Sequence, residues 1–172
     1  SINTKLIDFG VTDGFYSSGS LVQASNGKLY GMTSGGGSSG YGVIFSFDPS
    51  TSTYSKLMDF GGANGGRPEG SFMLANDGKL YGMTLIGGKF WYHNDNGGGH
   101  GHGGYRTDSA GYRANNDGYG VIFSFNPRTS AYKKLVDFDV TNGANPSGTL
   151  MQASDGKLYG TTSGGGSSSS GV

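Results

Sequence analysis

The apolar positions of this chain fall in short runs, and glycine and serine fill the gaps between them. That pattern predicts many short strands joined by turns. Residues 42–47 and 120–125 carry apolar groups on both faces, with Val43, Phe45 and Phe47 on one and Ile44 on the other. A strand of this kind fits a sheet packed between two neighbouring sheets. No stretch sustains a 3.6-residue apolar period, and the density of glycine also argues against helix.

The runs repeat. Lys5-Leu6-Ile7-Asp8-Phe9 returns as Lys56-Leu57-Met58-Asp59-Phe60 and as Lys134-Leu135-Val136-Asp137-Phe138. Gly27-Lys28-Leu29-Tyr30-Gly31-Met32-Thr33 returns at 78–84 and 156–162, and Tyr41-Gly42-Val43-Ile44-Phe45-Ser46-Phe47 returns at 119–125. The first period, from Asp8 to Asp59, is 51 residues and the second, from Asp59 to Asp137, is 78. The repeats therefore run over about 1–51, 52–129 and 130–172, and the second carries an insertion at 85–117.

Each repeat reads as four strands. Strand a covers 20–24, 71–75 and 149–153, and strand b is the Gly-Lys-Leu-Tyr-Gly segment. Asn26-Gly27, Asp77-Gly78 and Asp155-Gly156 lie between them, and such pairs readily take the positive φ of a tight hairpin turn. Strand c covers 42–47 and 120–125, and strand d covers 54–60 with its equivalents. Asp48-Pro49 and Asn126-Pro127 mark the c–d turns, where proline presets φ. Repeats of four strands and this length predict an all-β fold of about three β-propeller-type blades, read as one domain over 1–172.

Ser1 falls in the phase of Ser52, and Val172 in that of Val43. Three blades are too few to close a propeller, and an open array exposes apolar faces and strand edges. The expectation is a piece of a larger closed propeller, or copies that associate to complete a ring. The first is preferred because repeat arrays need capped ends.

The repeated pattern, Gly-x-Leu-x-x-Ala-x-Asp/Asn-Gly-Lys-Leu-Tyr-Gly-x-Thr, a glycine-rich loop, then Gly-Val-Ile-Phe-Ser-Phe-x-Pro, resembles the Gloeo/Verruco tandem repeat. The match runs through 19–49, through 70–84 with 118–127, and through 148–166. The resemblance implies propeller-like blades in a secreted or surface-anchored bacterial protein. It implies no catalytic residues. The insertion departs from the family pattern.

Composition narrows the partners. The formal net charge is zero and no long basic stretch exists, so nucleic acid has no electrostatic footprint. No apolar run approaches the ~20 residues of a membrane-spanning helix. Cysteine is absent, which rules out a disulfide framework without excluding export.

The b–c loops and d-to-a crossovers are expected at one end of the blades, so the insertion rises from that end, beside residues 13–16, 64–67 and 142–145. It holds the only tryptophan, Trp91, between Phe90 and Tyr92, and all three histidines, His93, His100 and His102. Asp95, Tyr105, Arg106, Asp108, Tyr112 and Arg113 complete it. Aromatic faces beside Asn, Asp and Arg suit sugar recognition, in which rings stack on C–H faces and polar groups bind hydroxyls. Phe90, Trp91, Tyr92, His93, Asp95, Tyr105, Arg106 and Tyr112 are the candidate ligand-binding residues. The bland alternative is that the aromatics pin a long loop to the blade. His100 and His102 are weak candidates for a metal, because glycine surrounds them and no second half-site with ligand spacing follows. The glycine-rich loops lack the Gly-Lys-Ser/Thr ending of a phosphate cradle. No nucleophile–base arrangement and no cofactor motif appears.

The expected function is a non-enzymatic extracellular or cell-surface module for adhesion, or for binding glycan or protein. The alternatives are a structural, self-associating subunit of a surface layer or filament, and a polysaccharide lyase or hydrolase on a propeller scaffold.

Overall fold

The computed structural model describes residues 5–17, 19–89, 106–107, 113–114 and 118–172. Their regular structure is all strand, in antiparallel sheets, none of them closed into a barrel.

In the first repeat, β1 is Phe15–Ser17, β2 Val22–Gln23, β3 Leu29–Gly35, β4 Val43–Asp48 and β5 Thr53–Asp59. β2, β3, β4 and β5 correspond to the expected strands a to d, joined in that order. β1 was not foreseen. The segment read as crossover continues along the edge of β3, with Phe15 opposite Gly35 and Ser17 opposite Thr33. β2 is too short to occupy that edge, so β1 takes the rest of it.

The second repeat supplies β6 (Met73–Leu74), β7 (Leu80–Thr84), β10 (Val121–Asn126) and β11 (Ala131–Asp137), again in the order a to d. The insertion contributes β8 (Arg106–Thr107) and β9 (Arg113–Ala114), which pair with each other. The third repeat contributes the hairpin β12 (Met151–Gln152) and β13 (Leu158–Tyr159). The c–d pairing breaks register at the same place in both larger sheets, between Ile44 and Phe45 and between Ile122 and Phe123.

The two larger sheets pack face to face. One apolar cluster joins Tyr30, Met32 and Ile44 of the first to Leu80, Phe123 and Phe125 of the second. Phe60 leaves the end of β5 and crosses between them, its ring 5.5 Å from that of Phe123. Val43, Ile44, Phe45 and Phe47 are all buried, as a strand apolar on both faces requires.

A ladder of equivalent residues ties successive repeats along their strand-a side. The Ser20 backbone N–H donates to Ser71 Oγ at 2.7 Å, and the Ser71 N–H donates to Thr149 Oγ1 at 2.9 Å. The backbones lie so close there that a Cβ on Gly70 would strike the Gly148 carbonyl. At the far end of the sheets the Tyr30 hydroxyl donates to the Pro127 carbonyl in the second repeat's c–d turn, at 2.9 Å.

Candidate functional site

The end of the sheets that carries the crossovers and b–c loops is held largely by backbone. In each repeat a loop glycine reaches the preceding crossover: Gly37 N–H donates to Val11 O, Gly88 N–H to Gly62 O and Gly166 N–H to Val140 O. A neighbouring stitch joins consecutive repeats, from Arg67 N–H to Tyr41 O and from Asn145 N–H to Tyr119 O. Asn145 Nδ2 adds a bond to Leu85 O at 3.0 Å.

Beneath this mat lies a threonine at the end of each strand b, buried in the first two repeats and half-buried in the third. Thr33 Oγ1 donates to Gly35 O at 2.9 Å and accepts from Val43 N–H at 3.2 Å. Thr84 repeats the pair with Ile86 O and Val121 N–H, and Thr162 with Gly164 O and Val172 N–H. Gly14, Gly65 and Gly143 pass directly over these threonines at φ of 102°, 102° and 119°. A Cβ at Gly65 would lie 2.7 Å from Thr84 Oγ1, so both space and φ demand glycine.

Two further contacts brace the crossovers. Asp59 Oδ1 accepts from Ser38 N–H and from Lys56 Nζ, and Asp137 Oδ1 accepts from Lys89 N–H at 2.7 Å and Lys134 Nζ at 2.8 Å. These recurring carboxylates hold loops. The Tyr54 hydroxyl donates to Asp13 O and the Tyr132 hydroxyl to Asn64 O, both at 2.5 Å. Burial pushes the Tyr54 phenol up to about 12, helped by the Asp13 and Asp59 charges. Burial, with Asp137 nearby, pushes Tyr132 upward too.

A phenol is neutral while protonated, so a raised pKa means that the fold holds the proton more tightly than the unfolded chain. This contribution is complete below the ordinary value of 10.0 and is lost as pH rises from there towards about 12 for Tyr54. Phenolate absorbance is expected to show a late alkaline step that coincides with loss of structure. Tyr54→Phe and Tyr132→Phe are expected to remove their shares of it.

The insertion leaves and rejoins this end at fixed points. Gly87 bridges Gly118, and Gly120 N–H donates to Gly87 O at 3.1 Å, as Gly42 N–H does to Gly36 O in the first repeat. Leu85 N–H and Ile86 N–H bond the Arg67 and Gly66 carbonyls, and Lys89 N–H bonds Asp137. Contacts shared with the other repeats thus continue through Lys89. The expected position of the insertion's base, among the crossovers, agrees with this geometry.

Of the sequence-predicted residues, Arg106 is placed on β8 opposite Ala114. Phe90, Trp91, Tyr92, His93, Asp95, Tyr105 and Tyr112 lie outside the described residues, as do His100 and His102. Among the described residues no three His, Cys, Asp or Glu side chains converge as metal ligands, and no helix is long and apolar enough to cross a membrane. The sequence reading passed over the threonines and the two braced tyrosines. Their signal was present in the Gly-x-Thr ending of strand b and in a tyrosine at the same phase of the strands d at 54–60 and 132–138.

No curated protein matches the chain. The model of a family described as the Gloeobacter/Verrucomicrobia repeat matches residues 1–100, which take in the first repeat and much of the second. The chain belongs to the Gloeobacter/Verrucomicrobia repeat family.

Proposed function

We infer that the repeats are successive blades of a β-propeller and that the protein is a non-enzymatic binding module working outside the cell or on its surface. Its recognition surface is the crossover end bearing the insertion, and its ligands are glycan or surface protein. One observation carries this reading: both ends of the insertion are clamped, at Gly87 and Gly118, to a scaffold stitched by backbone hydrogen bonds. A long segment rich in aromatic and polar groups on so fixed a base matches the way binding loops are mounted on rigid frames.

Retention on immobilised polysaccharides tests it. The full chain is expected to be retained by at least one glycan, and Trp91→Ala to abolish retention without changing the unfolding midpoint. Failure of the intact chain to bind any glycan or surface protein would count against the reading, as would retention unaffected by changes across the insertion.

A second reading, self-association into a surface layer, draws on the exposed apolar groups of the outer repeats: Leu6, Val11, Tyr16 and Leu21 on one side, Met151 and Tyr159 on the other. Sedimentation without ligand separates the two, since a layer subunit assembles alone.

A further inference from the structure

At the opposite end of the sheets from the insertion, a cleft of roughly 400 Å³ opens between the first sheet and the c–d turn of the second repeat. Its floor is a row across three strands, with Tyr30 of β3 opposite Ser46 of β4, and Ser46 opposite Ser55 of β5. Its rim is Lys28 on one side and Arg128 and Ser130 on the other.

Ser46 is only 3 % exposed, yet its hydroxyl has no hydrogen-bond partner among the described residues. A buried hydroxyl without a partner costs about 1–3 kcal/mol and calls for an explanation. The Tyr30 hydroxyl, by contrast, is fully engaged, donating to Pro127 O and accepting from Asn26 Nδ2 at 2.9 Å. It fixes the wall and leaves Ser46 facing the space. Lys28 Nζ lies 3.9 Å from Asp48 Oδ2, so its charge is largely balanced. The Arg128 guanidinium makes no ion pair or hydrogen bond among the described residues, and it is the cleft's uncompensated charge. Its planar fork of donors matches an oxyanion.

We propose that this cleft binds a saccharide carrying one oxyanion, with Arg128 on the anionic group and Ser46, Ser55 and Ser130 on ring hydroxyls. The volume falls within the range of small-molecule sites. Three serines, which both donate and accept, suit hydroxyls better than a bare ion. The oxyanion could be a uronic-acid carboxylate or a sugar sulfate, and the two are separable by experiment. None of the cleft's lining residues belongs to the insertion, so Trp91→Ala is expected to leave binding here unchanged, and failure of this proposal would not touch the reading of the crossover end.

The test is an amide NMR titration of the full chain with a glucuronic-acid disaccharide, a 6-sulfated N-acetylglucosamine, an uncharged disaccharide and inorganic sulfate. The expected result is saturable shifts at residues 26–30, 46, 55 and 128–130 with one of the acidic sugars, which identifies the oxyanion. The uncharged sugar should bind at least ~10-fold more weakly, the equivalent of one charge-assisted hydrogen bond. Arg128→Gln, at an exposed position, should reproduce that loss, and Ser46→Ala should weaken binding while the remaining spectrum is preserved. No saturable shift with either acidic sugar would overturn the proposal. Equal binding of the uncharged sugar, equal binding of inorganic sulfate (an adventitious ion only), or an Arg128→Gln variant that binds as before would do the same.

Discussion

Phe123→Ala is expected to lower the unfolding free energy by about 3–5 kcal/mol, the cost of emptying a large buried aromatic site. Phe123 is fully buried where the two larger sheets meet. Its ring stacks on Tyr132 at 5.1 Å and meets Phe60 at 5.5 Å and Phe72 at 6.0 Å in edge contacts. These partners come from the end of β5, from strand a and from strand d, so they cannot collapse together without opening the seam. Against a typical domain stability of ~5–15 kcal/mol, such a loss is a large share. Urea denaturation measures it. Phe15→Ala is the comparison: Phe15 is 36 % exposed and among the described residues its one close ring partner is Tyr16. A midpoint shift no larger for Phe123 than for Phe15 would mean that the sheets do not share a core.

The second large effect is expected at Gly70. Its φ is ordinary, so alanine is not excluded by local backbone preference. The obstacle is the neighbouring repeat, because the new Cβ would strike the Gly148 carbonyl and lie 2.7 Å from its carbon. Backbone cannot swing aside as a side chain can, so the third repeat must move as a body. Overpacking of this kind costs about 1–3 kcal/mol and occasionally more. The partner position discriminates sharply. A Cβ on Gly148 meets nothing within 4 Å, so Gly148→Ala should be nearly neutral. Gly78→Ala, also in open space but at φ +76°, should show the backbone penalty alone, about 1 kcal/mol. The order Gly70 > Gly78 > Gly148 in thermal unfolding follows from the close approach of the repeats.

Much of this fold was legible in the sequence because the repeat supplies its own controls. Asn26-Gly27, Asp77-Gly78, Asp155-Gly156, Asp48-Pro49 and Asn126-Pro127 marked turns, and strands c and d of the first two sheets fell within a residue of their expected bounds. Strand b of the first repeat runs four residues further than expected, to Gly35, and the equivalent of strand d at 5–9 forms no strand. Strand c announced its double burial through Val43, Ile44 and Phe45. β1 escaped because Phe15 and Tyr16 sit in a glycine-flanked crossover, and nothing local shows that β2 stops short and leaves an edge of β3 free. The place where the insertion joins the sheets was legible, since it interrupts a b–c loop. The polar cleft was not, because Ser46 and Arg128 are 82 positions apart and meet only when two sheets pack. The family match covers 1–100, and the periodicity of the motifs extends the same reading to the third repeat.

The central claim is that consecutive repeats stack with their strand-a sides in register and carry the insertion at one end. The 2.9 Å bond from Ser71 N–H to Thr149 Oγ1 sets the Ser71 amide proton against the Thr149 side chain, and the Ser20 N–H stands in the same relation to Ser71 Oγ at 2.7 Å. The NOE spectrum of the full chain is expected to show cross-peaks from the Ser71 amide proton to the Thr149 side chain and from the Ser20 amide proton to the Ser71 side chain. A folded chain that shows neither cross-peak would contradict the stacking on which the account rests.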